Sequence, residues 1–491
     1  MEWAEGYPAG SDYTFGYYRQ LNPVFARFAL ATAGIAAPPI RTACELGYGQ
    51  GVSAAMHAAA SGAEWWGTDF MPGQAAYART LAGPGAHLAE QSFAEFCARD
   101  DLPEFDFVCA HGIWSWVSAE NRAVVVDFLR RKLRPGGIFY VSYNTEVGWA
   151  GLHPFRHLLL RHTELMSAPG TPPTEALRQA VPFLERVFAA QAVYAAQNPM
   201  APAMLARIAQ APSAYHAHEY LGQHWNPMSH ATVAAELAPA KLSYGCSARI
   251  LDRVTSLTLL PQQRTLMDGI RDPGFRATVE EVLTGVRFRR DYWVKGPRTP
   301  GASEQAEVLA DLRVVLVEPP DDVGAVRPNT HSGEVDLPAA MFRPLLDTLA
   351  DHRPQRLGDL VEGLAAQGLG SRDVVQAALV LCDLGVLQPA HDDDAAVADA
   401  ARPSAVLNAR ILARARHGGE IGHLASPATG GATEVTRLQQ LLLLAEQDRA
   451  SPAEQAGFAA ATLGQPAAEM IAAAGRFHAG RRQVLRTQGV I

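Results

Sequence analysis

Seven residues constrain this chain more than any others: Glu45-Leu46-Gly47-Tyr48-Gly49-Gln50-Gly51. An apolar run, Ile40 to Leu46, precedes the glycines and reads as a buried strand. Val52 to Ser61 follows with helical character, and Gly62 is placed to cap its end. A chain that passes from strand to helix through closely spaced glycines makes a tight turn. Its backbone can take positive φ and lie close to a ligand. The spacing is G-x-G-x-G, whereas the dinucleotide fingerprint requires G-x-G-x-x-G.

The residues that follow continue the pattern of a nucleoside-binding half. Glu64 to Asp69 reads as a second strand, Gln74 to Leu81 as a helix, and Ala86 to Glu90 as a third strand. Phe105 to Ala110 is a fourth strand, and Ser118 caps a helix running to Leu133. Arg134-Pro-Gly-Gly137 reads as a stop and turn before a fifth strand, Ile138 to Tyr143. Alternating strands and helices predict a parallel, doubly wound α/β sheet. Lys241 to Cys246 is expected to add a sixth strand and Phe288 to Val294 an edge strand. That makes Ala150 to Trp225 a helical insertion over the carboxyl ends of the strands, where open α/β sheets bind ligands.

Within this frame, Glu45 ends strand one, where a carboxylate orders the turn and reaches a cofactor amino group. Asp69 and Phe70 follow strand two, placed for ribose hydroxyls. Ser92 and Phe93 flank an adenine by hydrogen bond and stacking. With Gly47, Tyr48, Gly49, Gly51, Ala110 and His111, they form the expected cofactor set, and the order fits S-adenosylmethionine. Candidate catalytic residues after strands four and five are His111, Trp114, Tyr143 and Asn144, with Trp116 and Trp149 nearby. Aromatic faces suit a cationic donor or an amine acceptor; core packing is the other reading of each tryptophan. His111 is either a base for the nucleophile or a backbone-bonded histidine at a helix start. His216-Ala-His218-Glu219 with His224 is not H-E-x-x-H, so polar lid contacts are expected there and no metal.

Beyond the sheet, an apolar helix spans Val24 to Ala33, after a segment that begins at Asp12. The domains expected are 1–150, an N-terminal segment and cofactor-binding core; 151–225, a helical lid; 226–296, the end of the core; and 305–491, a mostly α-helical, winged-helix-like C-terminal domain. In that last domain Leu312 to Val317 is a short strand and Met341 to Gln388 three short helices. Asp392 to Ser404 reads as an acidic surface connection, and Leu438 to Leu444 and Ala467 to Val490 as helices. Net charge is −8, with three lysines, which argues against nucleic acid. The stretch that would be the recognition helix of a winged helix, Ser371 to Leu379, carries one arginine and one aspartate, which suits a protein contact better. Five scattered cysteines without a C-x-x-C fit reduced thiols in a cytoplasm. No apolar run reaches the roughly 20 residues a membrane span needs, and MEWAEGYPAG has no secretory-signal pattern.

The chain resembles bacterial class I methyltransferases that carry a methyltransferase regulatory domain, among them the rickettsial protein-lysine methyltransferases. The resemblance rests on Glu45 to Gly51, Ala110 to Val117 and, most specifically, Tyr140-Val-Ser-Tyr-Asn-Thr-Glu-Val-Gly-Trp149. It continues through His218 to Leu221, Arg287 to Tyr292, Leu424 to Pro427 and Arg437 to Leu441. It implies S-adenosylmethionine as cofactor, held by Glu45, Gly47, Gly49, Gly51 and Asp69, with 226–296 belonging to the regulatory region. It also implies a methyl acceptor that is a nitrogen or oxygen nucleophile, with protein lysine as one candidate. Tyr17-Tyr18-Arg19 and Asn22-Pro23 stand where the family has His-Pro, in a segment expected to close over the cofactor. Two alternatives stay open: an O-methyltransferase of a sugar or lipid-linked glycan, and a non-catalytic cofactor-binding adaptor. Oligomeric state is not legible.

Overall fold

The computed structural model describes residues 14–210, 213–331, 333–448 and 450–491. Asp12 and the MEWAEGYPAG segment lie outside the described residues. Seven strands form the main sheet: β1 (Thr42–Leu46), β2 (Glu64–Asp69), β3 (Ala86–Glu90), β4 (Phe105–Ala110), β5 (Leu133–Asn144), β6 (Leu242–Ser247) and β7 (Phe288–Lys295). Their order is β3-β2-β1-β4-β5-β7-β6. β1 to β5 pair in parallel, and β7 runs antiparallel between β5 and β6.

Two expectations about this sheet are corrected. β7 is an interior strand and β6 takes the edge. The charges in Phe-Arg-Arg-Asp-Tyr-Trp-Val suggest a solvated edge, yet Arg289 and Asp291 are buried and neutralise each other at 2.9 Å. Second, Arg134-Pro-Gly-Gly137 does not precede β5 but lies within it. Leu133 still pairs with Phe105, and the register jumps before Phe107 meets Ile138. The extra residues bulge out of the ladder, with Gly136 at φ 78°.

The turn and helix signals near the amino terminus act on the whole molecule. Asn22 caps the helix Pro23–Thr32 by accepting from the Val24 amide at 2.9 Å. The same segment ties the sheet to the carboxyl-terminal region. Arg19 donates to the Cys382 carbonyl at 2.8 Å, Asn22 Nδ2 to the Thr429 carbonyl at 2.9 Å, and the Ala432 amide to the Tyr17 hydroxyl at 2.9 Å.

After β5 come the helices His153–Met166, Pro173–Ala189, Val193–Gln197, Met200–Gln210 and Ala214–Leu221. They have their own core around Leu159, Leu177, Leu184 and Ile208. Past β7, a small antiparallel sheet orders Gln355–Arg356, Arg313–Leu316 and Leu387–Ala390. Helices Arg343–Thr348, Leu357–Ala365 and Ser371–Leu384 accompany it. The expected acidic connection is instead the start of a long helix, Asp394–Arg414. Its buried Ala400, Ser404, Leu407, Asn408 and Ile411 recur at helical spacing. It packs on helix Val52–Ala60, where Ser404 Oγ donates to the Ala59 carbonyl at 3.3 Å. Helices Arg437–Gln447, Pro452–Leu463, Ala467–Ala479 and Arg481–Thr487 complete the chain. No helix among the described residues is long and apolar enough to cross a membrane. All five cysteines are buried and free.

Candidate functional site

The glycine turn after β1 is built from its backbone outward. Gly47, Gly49 and Gly51 have φ of 74°, 56° and 70°, which side chains rarely tolerate. A Cβ on Gly51 would lie 2.5 Å from Ala78 Cβ, and one on Gly47 would lie 2.8 Å from Ile113 Cγ2. Asp69 at the end of β2 fastens the turn: its carboxylate accepts from Gly49 N at 2.8 Å and from Met71 N at 3.0 Å. Burial pushes Asp69 up to about 6, against the pull of those two amides.

A pocket opens beside this turn. One wall is Gly47, Gly49, Asp69, Phe70, Ser92, Phe93 and His111, so most of the expected cofactor set faces one space. Ser92 caps the short helix Phe93–Cys97 in a reciprocal arrangement with Glu95. Tyr48, Glu45 and Gly51 line an adjoining recess with Tyr18, Gln50 and His111. The Tyr48 hydroxyl donates to the Ala89 carbonyl at 2.8 Å, which anchors the turn to β3. Ala110 ends β4 in the core and is not among the residues lining either space.

Glu45 is 3% exposed, and its Oε2 has no hydrogen-bond partner. Burial pushes its carboxyl up to about 8. A buried carboxyl with one unpartnered oxygen at a glycine turn is stabilised in its ionised form by a cationic group arriving from the pocket. His111 is fixed differently. Its Nδ1 meets the Tyr140 hydroxyl at 2.8 Å and its ring lies 3.8 Å from the Tyr18 ring. Burial, helped by Arg290, brings it down to about 3, so it is neutral near pH 7.

The opposite wall is the helix Ala214–Leu221 and the turn after it: Tyr215, His218, Glu219, Gly222 and His224. The His-x-His-Glu run therefore supplies pocket wall, and no cluster of ligands poised for a metal occurs among the described residues. Glu219 is pushed up to about 7 by burial, while Arg156 and Arg287 oppose the rise. Arg156 stacks 4.5 Å from the Trp225 ring and 5.9 Å from Trp116, and donates to the Glu219 carbonyl, which holds the lid against the core.

Three residues expected in catalysis sit elsewhere. Trp114 is fully buried, with its indole N–H on Glu236 at 3.0 Å. The Tyr143 hydroxyl donates to Asp291 at 2.8 Å on the far face of β5. Asn144 is buried, its backbone N–H donating to Ser115 Oγ at 2.9 Å. None of the three lines the pocket. Tyr18, Tyr215 and Glu219 do line the site and were not among the expected cofactor or catalytic residues. Two carried a signal: Glu219 by its place beside His218, and Tyr18 by its place in the segment expected to close over the cofactor.

Residues 43–137 match the family described as "Methyltransferase domain", and residues 212–295 match "Predicted methyltransferase regulatory domain". An uncharacterized protein of Synechocystis sp., sll1526, is 32% identical over 455 residues, covering 91% of this chain and 88% of that protein. The chain belongs to the class I methyltransferases that carry a regulatory domain. The structure of PKMT2 from Rickettsia typhi in complex with AdoHcy shares this methyltransferase's fold: TM-score 0.66 and 16% identity, over 97% of this chain and 99% of that one. A second structure of PKMT2 from Rickettsia typhi aligns with TM-score 0.68 over the same shares of both chains. The enzyme is an S-adenosylmethionine-dependent methyltransferase.

The residues fit the cofactor. The orphaned Glu45 carboxylate suits its amino group, the open backbone at Gly47 and Gly49 suits close approach, and Asp69 suits ribose hydroxyls. The regulatory region holds the lid helix, β6 and β7, so it supplies the wall opposite the cofactor residues.

Proposed function

We propose that this methyltransferase acts on an amine nitrogen of a protein, a lysine side chain presented beneath the lid. The observation that carries the reading is Glu219, a half-buried carboxylate on the lid facing the glycine turn across the pocket. Bound S-adenosylmethionine supplies a methyl group on a cationic sulfonium. The chain's own part is to hold the acceptor, take its proton and exclude water. An arriving ammonium meets the carboxylate of Glu219 and the faces of Trp116, Tyr215 and Tyr18. Glu219 accepts a proton from the ammonium, which leaves a nitrogen lone pair facing the pocket. His111, held near 3, is too weak a base for that task; Glu219, near 7, binds a proton far more tightly. The name of the rickettsial structural relative and the reach of the chain beyond a minimal methyltransferase support a protein acceptor working in the cytoplasm.

The test is hydrolysis of material labelled with methyl-tritiated cofactor. Methylated lysine among the amino acids is the expected product. Alkali-labile methyl ester would move the acceptor to a carboxyl oxygen, and label in carbohydrate would move it to a glycan.

A further inference from the structure

The methyltransferase has a second cavity, larger than the cofactor pocket and unused by the reaction so far described. It has a volume of about 880 Å³ and lies along β6 and β7, between the end of the first helix, the helix Pro273–Thr284 and the Asn329–His331 loop. Six arginines line it against three carboxylates. Asp291 is spent on Arg289, and Asp252 faces Arg249 and His331. Among the described residues, Arg253, Arg276, Arg287 and Arg290 have no carboxylate within ion-pair distance. Arg253 Nε and Nη2 are buried without a hydrogen-bond partner. In a chain of net charge −8 this is a local concentration of positive charge, and a cavity focuses its field.

The cavity ends beside the reaction centre. Phe288, in its wall, packs at nearly a right angle to the His111 ring, with ring centroids 6.0 Å apart. Arg290 is close enough to lower the basicity of His111, and Arg287 acts on both Glu219 and Tyr215. We infer that the cavity is the binding site for an acidic stretch of the acceptor polypeptide flanking the methylated residue, read by Arg253, Arg276, Arg287 and Arg290. This rests on the protein-amine reading above and deepens it. Arginine forks bind carboxylates in pairs of parallel hydrogen bonds, and the unsatisfied donors of Arg253 are groups a carboxylate completes. A run of glutamates and aspartates matches charges drawn from several elements, Arg253 after β6, Arg276 on the helix Pro273–Thr284 and Arg287 and Arg290 at the start of β7, and the cavity's volume exceeds what a single small anion needs.

The experiment is fluorescence anisotropy of a dye-labelled oligoglutamate peptide with the full-length protein, alongside a methyl-transfer assay on a bacterial lysate. Wild type should bind oligoglutamate and not oligolysine, with binding weakened by added salt. The double variant R253Q/R276Q should lose affinity by about tenfold or more. R287Q, at an exposed position where folding is not at stake, should lose it by a smaller factor. Equal binding by wild type and all variants, no binding by wild type, or preference for a single-stranded oligonucleotide over oligoglutamate would overturn the site. Oligoglutamate binding in a protein that labels only carbohydrate would sink the protein-amine reading while leaving the basic cavity standing as a carboxylate site.

Discussion

At the scale of residues, three carboxylates, two buried and one half-buried, divide the work through their surroundings. Asp69 is bound by two amides and faces the pocket, so Asp69→Ala should weaken cofactor binding by about 1.5–3 kcal/mol, the loss expected for a charged hydrogen-bond partner. Titration calorimetry reads this directly; an unchanged dissociation constant would remove Asp69 from the site. Glu45 is raised from 4.5 to about 8 by burial, so near pH 7 it is largely protonated in the cofactor-free protein. Stability from this group is present below 4.5 and declines as pH rises toward about 8. A cationic amino group beside it favours the ionised form. Cofactor binding near neutral pH should therefore release a proton, seen as a buffer-dependent enthalpy, and Glu45→Gln should abolish that dependence. Glu219 must be ionised to take a proton. The methyl-transfer rate should rise with pH through about 7, and Glu219→Gln should flatten that limb and slow transfer by roughly 10²–10⁴-fold. A pH profile identical in the variant would exclude Glu219 as the proton acceptor.

At the scale of elements, local chemistry was legible and long-range pairing was not. The turn at Gly47 to Gly51 follows from glycine alone, and the ends of β3 and β4 match the apolar runs residue for residue. Asp69, Ser92, Phe93 and His111 fall into one pocket because each ends or follows a strand of a parallel sheet. Tyr18, Tyr215 and Glu219 come from distant segments; the family resemblance and the His-x-His-Glu run mark the segments of Tyr18 and Glu219, but no local pattern marks Tyr215 as a neighbour of that pocket. Tyr143 and Trp114 illustrate the converse: an aromatic at a strand end faces the site or the core according to pleat and sheet order, which composition does not reveal. The position of β7 was missed because its charges pair inside the sheet. Removing one partner tests that account. Asp291→Ala leaves the buried Arg289 with only the more distant Glu281 carboxylate, at 3.6 Å, and strips the Tyr143 hydroxyl of its acceptor. It should destabilise the protein by about 3–5 kcal/mol in urea unfolding. A loss below about 1 kcal/mol would show that β7 is not held by this pair. The helix Asp394–Arg414 shows a different failure. Its buried stripe was present in the sequence, but the acidic start masked the period.

At the scale of the whole molecule, the amino-terminal segment links the two ends of the chain to the site. Tyr18 lines the recess and stacks on His111, while Tyr17, Arg19 and Asn22 on either side bond to the carboxyl-terminal region. The regulatory region wraps the other side, giving the lid to the pocket and most of the wall to the arginine cavity. Cofactor, lid and basic cavity thus meet at His111, an arrangement suited to an acceptor larger than a metabolite. The most direct measurement is incubation of the pure enzyme and methyl-labelled S-adenosylmethionine with a fractionated bacterial lysate, followed by protease digestion of the labelled fractions. The account predicts label in macromolecular bands that protease removes. Label confined to protease-resistant or small-molecule fractions would contradict it.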